Sequence, residues 1–178
     1  MTSALTCNPG LATGLRTRSA RLAERLEVGA RALADFVQPL SDAEWARPTP
    51  GDGRSVGVIV HHVATIYPLE VQLAKLIAAG TPVVDVTWAT IHEMNAAHAV
   101  EHAAVTKEET LALLAANSAA AAATIRTFSD QDLDRATCVS LYGNVELTSQ
   151  FLLEDHAVRH SYHHLARLRE ALRQLTSA

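Results

Sequence analysis

The apolar positions of the chain recur mostly at steps of three and four. From Ser19, residues Leu22, Leu26, Ala30, Leu33 and Val37 fall on one helical face, which predicts a helix over about Ser19–Gln38 with Pro39 as its stop. Ser41-Asp-Ala-Glu44 has capping-box spacing and predicts a single turn carrying Trp45. Pro48 to Gly53 reads as a loop. Ser55 caps a second helix that runs towards Ala79 and stops at Gly80, with Val56, Ile59, Val63, Ile66 and Leu69 or Leu73 as its core face. Pro68 lies inside it, removing a backbone donor and crowding the carbonyl of Ala64, so a kink or two abutting helices are expected.

Thr81–Val86 is a connection rich in β-branched residues, and Thr87–Val105 reads as helical. Thr106-Lys-Glu-Glu109 is a second capping box and opens a long helix to about Phe128. Ser129–Leu133 reads as a polar turn, and Leu141–Val145 as a turn or short hairpin, because Gly-Asn favours positive φ. Thr148 or Ser149 starts a last helix to about Gln174, with Phe151, Leu152, Val158, Leu165, Leu168 and Leu172 as its apolar stripe. Four long helices pack most simply as an all-α four-helix bundle, and the pieces between the second and last helices allow one longer crossover. Residues 1–178 are expected to form one domain, with residues 1–12 a loose lead-in.

Composition supports this. Alanine and leucine number 32 and 22, while aromatics make up 4%, which favours helix over sheet. The formal net charge of -4 lacks the basic excess of a nucleic-acid binder. Cys7 and Cys138 make no disulfide framework and fit two free thiols in a reducing compartment. Met1–Gly10 has neither a basic n-region nor an apolar core, and no apolar run approaches the ~18 residues of a spanning helix. A cytoplasmic location, with no membrane partner, is expected.

The nine histidines are clustered. His61 and His62 sit together near the start of the second helix. His156, His160 and His164 form a ladder at steps of four in the last helix, with His163 beside them. Neutral imidazole is the commonest metal ligand, and two at i and i+4 reach one ion from a single helix face. The ladder drifts about 40° per step of four, so three rungs do not share one ion. The pair is His156/His160 or His160/His164; the core face through 161, 165, 168 and 172 borders the second pair more closely. In the second helix periodicity leans to His62 over His61 without separating them. His163 is expected to point to solvent or a neighbouring chain. His98 and His102, with Glu101 and Asn95 nearby, form a rival pair, read as a polar face towards solvent or the bundle mouth. Glu154 and Asp155 either orient a ligand histidine or form a charge pair near the helix N-terminus. Tyr67, Tyr142 and Tyr162 either line a cavity or pack.

Arg54-Ser-Val-Gly-Val-Ile-Val-His-His-Val-Ala64, followed about a hundred residues later by Asp155-His-Ala-Val-Arg-His-Ser-Tyr-His-His-Leu-Ala-Arg-Leu168, resembles the DinB-like (YfiT-like) metalloprotein family, near relatives of mycothiol-dependent isomerases. The likeness extends to the Ser41-Asp-Ala-Glu-Trp45 turn and to Met94-Asn-Ala-Ala-His98 through Thr106-Lys-Glu-Glu109. It implies a four-helix bundle, often dimeric, with zinc or nickel held by His62, His160 and His164, and His156 as a neighbour of the site. Arg54 stands where the family commonly has an aromatic, a departure expected to alter packing and not the metal. A related branch uses a low-molecular-weight thiol such as mycothiol or bacillithiol; its isomerases have Glu where this chain has His160. The expected function is a metal-dependent enzyme on small molecules, performing thiol-dependent S-transfer or detoxification. The alternatives are a metal-dependent hydrolase, a non-catalytic, stress-associated metal-binding homodimer, and a metal-free ligand-binding bundle.

Overall fold

A computed structural model describes residues 17–176. The expected lead-in at residues 1–12, and Cys7 within it, lie outside the described residues. The helices are α1 Arg18–Val37, α2 Asp42–Trp45, α3 Val56–Ala78, α4 Trp88–Glu101, α5 Lys107–Ile125, α6 Asp130–Asp134, α7 Ser149–Leu152 and α8 Arg159–Thr176. Two short strands, β1 Ala136–Val139 and β2 Val145–Thr148, pair antiparallel between α6 and α7. A π-helical turn, Leu153–Val158, joins α7 to α8, so Ser149–Thr176 is one helical run.

Helices α1, α3, α5 and the α7–α8 run form a four-helix bundle: α5 packs on both α1 and α3, and α8 packs on α1 and α3. Its core includes Leu22, Leu26 and Leu33 of α1, Val60, Val63 and Ile77 of α3, Leu114 and Ile125 of α5, and Leu153 and Leu168 of the last run. Each such aliphatic side chain contributes about 1.5–3 kcal/mol by leaving water. The longer crossover is the chain from α3 to α5, which carries α4. That helix has no buried residue and packs lightly, on α3.

The capping box at Ser41 forms as read: Ser41 accepts from Glu44 N while the Glu44 carboxylate accepts from Ser41 N at 2.8 Å. At Thr106 only half of the expected box forms: its hydroxyl accepts from Glu109 N, but the Glu109 carboxylate accepts from that hydroxyl and not from the Thr106 backbone. Ser55 caps α3 and Thr148 caps α7. The polar stretch at Ser129 is a short helix instead of a turn, because Ser129 and Asp132 complete another capping box. The hairpin at Gly143-Asn144 is present, with both residues at positive φ, 71° and 62°. The β-branched connection contributes as well: Val83 donates to the Cys138 carbonyl, and its own carbonyl accepts from Ser140 N.

Pro68 does not split α3, which is continuous from Val56 to Ala78. The Ala64 carbonyl, which residue 68 would otherwise satisfy, accepts from Asn117 Nδ2 on α5 at 2.8 Å. By mean hydropathy α3 is long and apolar enough to cross a membrane, but 67% of that stretch is buried among the other helices.

Two apolar positions differ from the periodic reading. Leu69 is 42% exposed, since beyond Pro68 the inward residues are Val71, Ala74 and Ile77. Before it, Val58, Ile59, Val60, Val63 and Ala64 are all buried and define no single face. Phe151 is also partly exposed, with its ring edge-on to Tyr142. The π turn shifts the register of the run, so Leu152 points inward before it, Leu153, Ala157 and Val158 within it, and Leu165 and Leu168 after it.

Candidate metal centre

Ligand atoms of His62, His160 and His164 lie within 4.8 Å of one another, between α3 and α8. His62 enters from the buried first half of α3. His160 and His164 come one turn apart from the start of α8, just past the π turn, and their rings stack with centroids 4.9 Å apart. His62 Nε2 and His160 Nε2 are 3.2 Å apart. Two nitrogens bound tetrahedrally at ~2.0–2.1 Å to one ion are separated by about 3.3 Å.

The group absent from the sequence reading is Glu70. It lies two turns beyond His62 on α3 and is only 4% exposed. His160 Nδ1 donates to Glu70 Oε1 at 2.6 Å, which fixes the ring's proton on Nδ1 and leaves Nε2 with its lone pair facing His62. Glu70 Oε2 is buried with no hydrogen-bond partner. A buried carboxylate charge behind an imidazole, with neutral nitrogens in front, fits a divalent cation. One sequence signal pointed to it: a lone acid at an inward position of an otherwise apolar helix.

Burial, then the neighbouring His160 and the Arg54 charge, push His62 down to about 3. Burial, then His160 and His62, push His164 down to about 2. Both rings are therefore neutral at pH 7, the protonation state a metal ligand requires. Arg54 does more than alter packing. Its guanidinium grips Asp52, through Nε at 2.6 Å and Nη2 at 2.9 Å, and its charge lowers the proton affinity of His62, His98 and His164. A shallow cleft opens beside His164, lined by Thr49, Asp52, Ile59 and Arg167 among others.

The other candidates lie outside this trio, although His156 remains close enough to feel the charges of Glu70 and His160. His163 is exposed, as expected. His156 donates to Tyr142 Oη at 2.9 Å, and Tyr142 donates to Asp155. Asp155 also accepts from Arg159, and Glu154 pairs with Arg25, so neither acid orients a histidine of the group. Tyr67 is fully buried and bonds Ser161, while Tyr162 lies against Gly29 of α1. His98 and His102 do not face solvent alone: they meet His61 of α3 in a second trio, whose ligand atoms also lie within 4.8 Å of one another.

No curated protein matches the sequence. Among solved structures the chain is similar to YfiT from Bacillus subtilis, a probable metal-dependent hydrolase with an unusual four-helix bundle topology. The TM-score is 0.70 at 20% identity, over 97% of this chain and 94% of that one. It is also similar to a mycothiol-dependent maleylpyruvate isomerase, with a TM-score of 0.65 at 12% identity; the match covers 84% of this chain and 60% of that longer one. Both likenesses establish the four-helix fold. The DinB superfamily model matches residues 25–168, most of the chain, and the protein belongs to that superfamily.

Proposed function

We propose that the protein is a metal-dependent enzyme acting on small molecules, with His62, His160 and His164 holding one zinc or nickel ion. The observation that carries this reading is the convergence of three imidazoles with Glu70 fixing the outermost of them, His160. Three protein ligands leave a coordination position open, as in catalytic sites, whereas structural sites are closed by four. A divalent ion there supplies Lewis acidity that activates a small nucleophile at neutral pH. The chain's own contribution is to keep His62 and His164 unprotonated by burial, and to hold the His160 proton on Nδ1.

The nucleophile in this reading is a low-molecular-weight thiol, transferred to an electrophile in synthesis or detoxification. The resemblance to a mycothiol-dependent isomerase supports it. A second reading, hydrolysis, is favoured by the neutral ligand set: with His160 where thiol-dependent isomerases have Glu, the ion keeps its full charge and polarises water more strongly. The free thiol of Cys138 is consistent with a cytoplasmic location, and a homodimer without membrane or nucleic-acid partners completes the proposal.

The test is turnover of a model electrophile by zinc- or nickel-loaded protein, with and without mycothiol or bacillithiol. Thiol-dependent turnover lost in His160→Ala is expected. Equal turnover without thiol transfers the assignment to hydrolysis. Absence of turnover under either condition in metal-loaded protein overturns the enzymatic reading in favour of a non-catalytic metal-binding homodimer.

A further inference from the structure

The structure assigns a second divalent-cation site to His61, His98 and His102, beside the first and built from different residues. Adjacent residues on a helix point about 100° apart, so His61 and His62 deliver one imidazole to each of two clusters. His98 and His102 stand at i and i+4 at the end of α4, where His102 is the C-cap, and both reach one point from that helix face. His61 Nδ1 and His98 Nε2 are 2.9 Å apart. The His102 ring lies 4.2 Å from that of His61 and 4.6 Å from that of His98, centroid to centroid.

Two further observations separate this trio from an ordinary cluster of polar side chains. The first concerns α4, which has no buried residue. Its attachment to α3 therefore lacks the apolar stripe that holds the bundle helices; instead its His98 and His102 rings converge on His61 of α3. The second is a pair of unmatched buried atoms, His98 Nδ1 and Asn95 Oδ1, neither with a hydrogen-bond partner. They belong to residues one helical turn apart. A ring whose Nε2 lone pair goes to a cation carries its proton on Nδ1, and Asn95 Oδ1 is an acceptor of the matching polarity. Three neutral nitrogens select a borderline transition ion, such as zinc, nickel or cobalt; magnesium and calcium want oxygen ligands. Such an ion pins α4 to α3 next to the first site, since the His98 ring lies 5.6 Å from that of His62.

Zinc bound after equilibrium dialysis of the full chain, counted by elemental analysis, tests this. The variants are His98→Gln, His102→Gln and His160→Gln, each checked for helical content. The expected result is an equivalent of zinc that His98→Gln and His102→Gln lose and His160→Gln retains. Amides of α4 should also exchange more slowly with zinc in wild type and in His160→Gln, but not in His102→Gln. The site is overturned if His98→Gln and His102→Gln bind as much zinc as wild type, or if all three variants lose the same equivalent. Should His98→Gln fail to fold, His102→Gln, at a half-exposed helix end, decides alone. Because the reading is of an equivalent independent of His160, failure of the first site leaves the result interpretable.

Discussion

Glu70 Oε1 accepts the Nδ1 proton of His160 at 2.6 Å, so a carboxylate buried in α3 sets which nitrogen of α8 faces His62. Glu70→Gln keeps an acceptor in place but removes the charge. Metal affinity is expected to fall about 10–100-fold with helical content unchanged. Competition against a chelator of known affinity measures this, and unaltered affinity would remove Glu70 from the site.

Asn117 substitutes for the donor that Pro68 lacks. Asn117→Ala strands the Ala64 carbonyl and is expected to destabilise the fold by about 1–3 kcal/mol in denaturant unfolding. In a Pro68→Ala background the backbone N–H returns to that carbonyl, so the same substitution should cost much less. Equal losses in the two backgrounds would show that the bond matters for another reason.

These two relationships differ in how far the sequence foretold them. Pro68 pointed to the Ala64 carbonyl, but nothing local named Asn117, which lies 53 residues away on α5. The His160/His164 spacing and the capping residues Ser41, Ser55, Thr106 and Thr148 were readable because each acts within one or two helical turns. Periodicity only leaned to His62 over His61, since α3 is buried on every side at that point, and the family resemblance made the choice. Glu70, the pairing of His61 with α4, and the π turn before His160 depend on contacts between helices or on a break in the helical period. The exposed Leu69 and Phe151 follow from the same causes.

Gly57 is where α2 meets α3. A Cβ there would lie 2.6 Å from Trp45 Nε1, and that nitrogen donates to the Val105 carbonyl at 2.9 Å. Gly57→Ala should displace the indole and destabilise the protein by about 1–3 kcal/mol, read as a lower thermal midpoint together with a shift in tryptophan fluorescence. An unchanged midpoint would mean that the indole moves freely.

Burial holds His62 and His164 far below the 6.5 of an unfolded histidine, and His98 at about 4. As pH falls below about 6.5 the unfolded chain binds protons that the folded chain refuses, so stability present above that pH is progressively lost. Metal-free protein should therefore unfold at lower denaturant concentration at about pH 5 than at about pH 7.5, in a range where most carboxylates remain ionised. A midpoint independent of pH across that interval would contradict the burial of neutral histidines.

The central claim is one ion held across α3 and α8. Elemental analysis of wild type beside His62→Ala and His160→Ala tests it most directly, with folding verified for each. Of the zinc or nickel that wild type binds, about one equivalent is expected to be lost in both variants. Wild-type protein that takes up no metal after reconstitution, or variants that retain all of it, would contradict the site.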